Sequence, residues 1–161
     1  MALLWIFKDT KKLFNTALFF INKQKDNKKV INHKKLQKLT YYTQAWNLAI
    51  NNKKIFDNNI EAWVNWPVVP ELYRKYRNYW YMNISTDEKF NKDLFNKNEL
   101  KVLEDVYKIY WNQDSDYLVW LTHTERPWLE ARWELEESEA SNNKIKEEIM
   151  KDFYKSKLKQ K

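Results

Sequence analysis

The chain contains no glycine in 161 residues, although it has nine tryptophans. Glycine adopts positive φ at little steric cost, so every tight turn in this chain must be made by other residues. The same absence excludes a glycine-rich phosphate-binding loop. At an average glycine content of ~7%, a chain of this length without glycine has a chance of about 10⁻⁵.

Apolar residues at helical spacing predict most of the secondary structure. The predicted helices cover 11–24, Asn32 to about Ile50, 70–76, Asn98 to Tyr110, 115–121, Pro127 to about Arg132, and a last segment capped by Asn142 or Asn143. Residues 54–56 and 60–64 are predicted to pair as a hairpin. We therefore expect a mostly α fold: a compact single-domain bundle of about six helices over 1–161, with at most one small β-hairpin. Its core is expected at about 10–155, followed by a frayed basic tail at 156–161.

Charge and composition limit the classes of partner and compartment. The net charge is +7 and the pI is about 9.3, which is compatible with an acidic partner or nucleic acid. The positive charge is scattered, however, and abundant Lys, Asn and Ile also reflect AT-rich coding, which we favour as the explanation. The chain has no cysteine, and its apolar start 1–7 does not resemble a signal peptide. We expect a cytoplasmic protein with no membrane partner.

Two histidines are the candidates for acid–base chemistry. His33 is expected at the surface. His123 could act as a general base with Glu125 or Glu130, but we favour local hydrogen bonding around the helix start at Pro127. Two histidines without cysteine make a zinc site improbable. We predict no enzyme activity, no catalytic residue, no metal and no cofactor.

The segment 73–81 interleaves four tyrosines with basic residues, among them Arg74 and Arg77. Three interpretations stay open: Leu72, Tyr73 and Tyr76 form the core face of a short helix, the set forms a protein interface, or it stacks nucleic-acid bases.

Three sequence blocks carry a family resemblance: 35–49 (KLQKLTYYTQAWNLA), 60–76 (IEAWVNWPVVPELYRKY) and 121–132 (LTHTERPWLEAR). Together they resemble the SocA-like Panacea antitoxin family, once catalogued as phage-associated proteins of unknown function. The middle block is the most specific, because its Ala-Trp followed by Pro-Val-Val-Pro-Glu-Leu-Tyr is hard to reach by chance.

The resemblance implies a mostly helical bacterial antitoxin that neutralises a cognate protein toxin by direct contact within a toxin–antitoxin system. Toxins of such systems are diverse and include enzymes similar to small alarmone synthetases. The alternatives are an adaptor that delivers a toxin to a protease, as one family member does, and a nucleic-acid-binding regulator. We predict that the toxin is bound by Trp63, Pro67, Pro70, Tyr73, Arg74 and Arg77.

Four tryptophans fall where similar sequences carry glycine: Trp66, Trp80, Trp111 and Trp133. A turn with positive φ at Trp66 and a left-handed helix cap at Trp111 would explain glycine there. We hypothesise that these positions are UGA codons that the organism translates as glycine. UGG codons in the gene would exclude this hypothesis.

Overall fold

Seven α-helices make up most of residues 9–79 and 81–159, the part of the chain that this computed structural model describes. They are α1 (Lys11–Asp26), α2 (His33–Asn51), α3 (Pro70–Tyr76), α4 (Lys97–Tyr110), α5 (Ser115–Thr124), α6 (Arg126–Ala131) and α7 (Glu147–Leu158). One short 3-10 helix, Arg77–Tyr79, follows α3, and another, Lys92–Leu94, precedes α4. The predicted mostly α fold is confirmed.

Helix α2 lies at the centre of the molecule. Fourteen of its nineteen residues are buried, because α1, α3, α4, α5 and α7 all pack against it. The buried set includes charged and amide side chains as well as Leu36 and Leu39. A helix surrounded in this way has to satisfy buried polar groups, and this requirement shapes the functional surface described below.

The hairpin is displaced from its predicted position. Strands β1 (Glu61–Ala62) and β2 (Pro67–Val68) pair antiparallel, with Ala62 opposite Pro67. The predicted pairing of 54–56 with 60–64 is wrong, because the Gln44 side chain bonds to the first segment. Its Oε1 accepts from the Ile55 amide at 2.8 Å, and its Nε2 donates to the Phe56 carbonyl at 2.8 Å.

One predicted N-terminal cap is confirmed, and the caps predicted for two other helices are wrong. Asn32 accepts a hydrogen bond from the Lys35 amide at 2.8 Å and caps α2 as predicted. Helix α4 is capped by Asn96, which forms a capping box with Glu99, rather than by Asn98. The predicted caps Asn142 and Asn143 are also wrong.

Backbone pairing explains why α7 starts late. The Ala62 amide donates to the Asn143 carbonyl and the Ile145 amide donates to the Ile60 carbonyl, both at 2.8 Å. Residues 143–145 therefore run beside β1, and α7 begins only at Glu147. Helix α7 continues to Leu158 and so includes the first residues of the basic tail, whose fraying stays a prediction. Residues 1–8, 80 and 160–161 lie outside the described part.

Turns in the described residues use other side chains where glycine is common. Positive φ occurs at Lys28 (54°) and at Asn52 (57°), which ends α2 in the left-handed region. Trp111 has φ −64° and ψ −33°, and neither Trp66 nor Trp133 has positive φ. The conformational reason for glycine at Trp66 and at Trp111 is therefore wrong. Trp80 lies outside the described residues, and recoding itself stays a prediction.

Within the described residues, no helix combines the length and the apolar character that crossing a membrane requires.

Candidate functional site

The loop 63–66 between β1 and β2 is fastened by three hydrogen bonds. Trp63 Nε1 donates to Glu61 Oε2 at 2.8 Å, and the Trp63 carbonyl accepts from Trp128 Nε1 at 3.1 Å. The Asn65 carbonyl accepts from His123 Nε2. Helices α5 and α6 therefore fix the loop from one side, which gives the aromatic side chains it carries a defined position.

Tyr73 and Trp63, two of the predicted partner-binding residues, are in contact. Their ring centroids are 5.0 Å apart, and the Tyr73 ring lies 5.1 Å from that of His33 on α2. Both Tyr73 and Trp63 are half-buried. Gln37 on α2 holds the start of α3, because its Oε1 accepts from the Val69 amide at 3.0 Å. The structure thus brings the hairpin loop and α3 together in one aromatic surface.

The two predicted arginines lie on the outer side of this surface. Arg74 and Arg77 are exposed, and neither guanidinium forms an ion pair or hydrogen bond with any residue of the described chain. An unpaired guanidinium offers a planar set of donors for a carboxylate. Lys75, between them, instead pairs with Glu88 at 3.0 Å.

The two predicted prolines have different surroundings. Pro67 is buried in β2, whereas Pro70 is half-buried at the first turn of α3. Proline suits that position because its fixed φ matches the helix and it has no amide proton to leave unpaired. Pro67 can influence a partner through the shape of the loop but not by direct contact in this conformation. Partner binding by the six predicted residues stays a prediction.

Three open clefts flank the loop 63–66, and two of them extend to residues of a helix. The smallest, about 180 Å³, is lined by Asn32, His33, Lys34, Gln37, Asn65, Trp66, Tyr73 and Tyr81. The largest, about 820 Å³, is lined by Val64, Asn65, His123, Trp128, Leu129, Arg132, Trp133, Leu135, Glu136, Glu137 and Ser138. The Arg132 guanidinium is buried and donates to the carbonyls of Ala62 and Glu139, which closes one wall of the largest cleft.

Neither histidine has the environment predicted for it. His33 is 4% exposed, so its expected surface position is wrong, and burial lowers its pKa to about 4. His123 bonds to a carbonyl 58 residues away rather than locally. The carboxylates considered as its partners are bound elsewhere: Glu130 accepts from Arg126 at 2.8 Å, and Glu125 accepts from Tyr154. The described residues contain no group of three or more His, Cys, Asp or Glu side chains suited to a metal ion.

Glu125 lies at the end of a short buried chain of tyrosine hydroxyl groups. It is 8% exposed, and its Oε2 accepts from the Tyr154 hydroxyl, which lies 3.4 Å from the Tyr41 hydroxyl. Burial raises the pKa of Glu125 to about 7, while the hydrogen bond from Tyr154 acts in the opposite direction. The group is held between α5, α6 and α7, so it links the site to the core.

Lys38 is the buried cation that the sequence prediction missed. Its side chain is fully buried, and its Nζ has no hydrogen-bond partner in the described chain. Its Nζ lies over the ring of Trp66, 5.0 Å from the ring centroid. Lys38 lies three and four residues before Tyr41 and Tyr42, which are both fully buried. Residues at this spacing share one face of a helix, so the two aromatic residues were the available sequence signal for its burial.

Comparison with known proteins identifies the family. A family model with the description "Antitoxin SocA-like, Panacea domain" matches residues 36–129, which is more than half of the chain. The match includes most of α2, the hairpin and α3 to α5, and thus all six predicted partner-binding residues. No curated protein and no solved structure matches the chain. The chain belongs to the SocA-like antitoxin family with a Panacea domain.

Proposed function

We propose that this protein is the antitoxin of a toxin–antitoxin system and neutralises a cognate protein toxin in the bacterial cytoplasm by binding it. The observation that carries the proposal is the family match over residues 36–129. The match favours a non-enzymatic role, in which inhibition comes from occupying a surface of the toxin.

The surface proposed for the toxin combines the aromatic pair Trp63 and Tyr73 with the unpaired cations Arg74 and Arg77. Aromatic and arginine side chains are enriched among the residues that dominate binding energy in protein interfaces. The loop 63–66 is already fastened to α5 and α6, so little conformational entropy is lost when a partner binds there. These features support a preformed contact surface.

The experiment starts from the neighbouring open reading frame as the candidate toxin. Cells that express it should stop growing, and co-expression of this protein should restore growth. With both proteins purified, inhibition of the toxin without any protease supports direct neutralisation. Inhibition that requires a protease would instead identify an adaptor.

Charge reversal tests the surface. The double variant Arg74→Glu and Arg77→Glu should weaken toxin binding by tenfold or more, because both guanidinium groups are available for charge-assisted hydrogen bonds. Lys53→Glu and Lys108→Glu make the same change of charge at exposed residues outside the segment, and should leave binding within twofold. Equal losses in both double variants would assign the effect to net charge. Loss of nucleic-acid binding alone, with toxin binding intact, would favour the regulator.

A further inference from the structure

Lys38 is a buried amine with no anion beside it. Ion pairs within 4 Å join other lysines to carboxylates, but none in the described residues includes Lys38. Lysine is seldom fully buried unless it is paired, since removing an ammonium from water is costly. Burial lowers the pKa of Lys38 well below its usual range, and the charge of Lys34 acts in the same direction.

Cations and neutral groups surround this amine. The Lys34 ammonium lies 5.8 Å from the same Trp66 ring and pairs outward with the exposed Asp116. His123, close enough for the charge of Lys38 to lower its pKa, uses Nε2 for the Asn65 carbonyl. The arrangement therefore supplies positive charge and donors but lacks an acceptor.

Trp66 separates this amine from the surface clefts. Its ring lies against Lys38 Nζ, and the same residue lines both the 180 Å³ cleft and a second cleft of about 270 Å³. In contrast to Trp63 and Trp128, its indole forms no hydrogen bond to any described residue. Rotation of the ring away from α2 would break no hydrogen bond to a described residue, but it would end the contacts of the ring with Lys34 and Lys38.

We propose that Lys38 is the cation of an oxyanion-binding site that Trp66 covers, and that its ligand is a single carboxylate or phosphate group. The oxyanion supplies the acceptor that the buried amine lacks, and Lys34 adds a second positive charge at the mouth of the site. If position 66 is glycine in the natural protein, the same site is open rather than covered. The inference does not depend on the antitoxin assignment, because a free anion tests it.

The test measures binding of inorganic phosphate and of acetate to the purified chain at constant ionic strength, by calorimetry. Trp66→Gly should bind one of these anions saturably, and at least tenfold more tightly than the wild type, because no indole has to move. Adding Lys38→Met should lower that affinity at least tenfold. Adding Lys53→Met, which removes one exposed positive charge elsewhere, should change it less than twofold.

Two results would overturn the proposal. One is that Trp66→Gly binds neither anion saturably. The other is that adding Lys38→Met or Lys53→Met to Trp66→Gly gives the same anion affinity. Comparison of phosphate with acetate identifies the ligand class.

Amine labelling keeps the proposal testable if a double variant does not fold. In Trp66→Gly, phosphate or acetate should slow acylation of Lys38 at least fivefold, measured by mass spectrometry, and should leave labelling of Lys53 unchanged. Equal protection of both lysines, or none, would contradict a site at Lys38.

Discussion

Glu125 and Lys38 are both buried ionisable groups, but only Glu125 has a hydrogen-bond partner. Glu125 lies between α5 and α6 and accepts from Tyr154 on α7, so its polar oxygen is satisfied inside the fold. Lys38 lies on α2 against an indole face and has no acceptor. A satisfied buried group supports the core, whereas an unsatisfied one lowers stability. The difference is the reason for proposing an anion site at Lys38 and not at Glu125.

The largest expected effect concerns pH. The pKa of Glu125 is raised from 4.5 to about 7, so its stabilising contribution is complete below pH 4.5 and is lost as pH rises through 7. The pKa of His33 is lowered from 6.5 to about 4, so stability is lost as pH falls from 6.5 towards 4. Each shift corresponds to roughly 3 kcal/mol. The two opposite slopes offset each other in the wild type.

Glu125→Gln removes one of these slopes. We expect the free energy of unfolding of this variant to rise by about 3 kcal/mol between pH 4.5 and 6.5, where the wild type changes little. Urea unfolding at four pH values measures it, and His33→Asn is the matched control with the opposite slope. If Glu125→Gln follows the wild-type profile, Glu125 is not the buried proton-binding group, and the comparison with Lys38 fails.

Removing the partner of Glu125 should have the next largest effect. Tyr154→Phe keeps the ring packed against Tyr41 and Trp46 but deletes the hydroxyl. We expect a loss of about 2 kcal/mol, because a buried carboxyl loses its hydrogen bond. The pKa of Glu125 should rise further, since this bond lowers it. Thermal and urea unfolding at pH 7 measure the loss, with the more exposed Tyr117→Phe as control. An unchanged stability would mean that the bond is not formed.

Lys38 should respond with the opposite sign. Lys38→Met removes a buried amine that has no partner and keeps most of the side-chain volume, so we expect stabilisation by about 1–2 kcal/mol at pH 7. The gain should shrink as pH rises towards 10.5, because Lys38 then loses its proton in the unfolded chain as well. Lys53→Met should stay within ~0.5 kcal/mol of the wild type. A destabilised Lys38→Met would show that the amine has an unseen partner.

The sequence predicted elements that depend on local chemistry. Asn32 caps α2 because its side chain reaches an amide three residues on, and Pro70 starts α3 because its φ suits the first helical turn. Trp63 in the hairpin loop and Tyr73 on α3 belong to one sequence block, but their contact was not predicted. The six residues proposed for partner binding were chosen by residue type from this block and from Arg77 just after it, and their role stays a prediction.

What the sequence did not predict depends on distant partners. Gln44 takes the hydrogen bonds that a strand at 54–56 would need, and the segment 143–145 pairs with β1 before α7 begins. His33 and Lys38 have polar side chains on a helix that other elements surround completely, so their burial is set by tertiary packing. Periodicity cannot distinguish such a central helix from one with a single buried face.

The smallest expected effect separates burial from charge repulsion at Lys38. Lys34 lowers the pKa of Lys38 less than burial does. Lys34 also forms an ion pair with Asp116, whose side chain is exposed. Lys34→Met loses a surface ion pair and relieves a like charge, and both effects are below ~1 kcal/mol, so we expect a net change within ~0.5 kcal/mol. In a double-mutant cycle with Lys38→Met, the coupling should also stay below ~0.5 kcal/mol, measured by urea unfolding at pH 7. A coupling of 1 kcal/mol or more would mean that repulsion from Lys34, and not the missing acceptor, is the main reason why Lys38 destabilises the fold. A bound anion would then act by screening the two lysines from each other and not by accepting a hydrogen bond from Lys38.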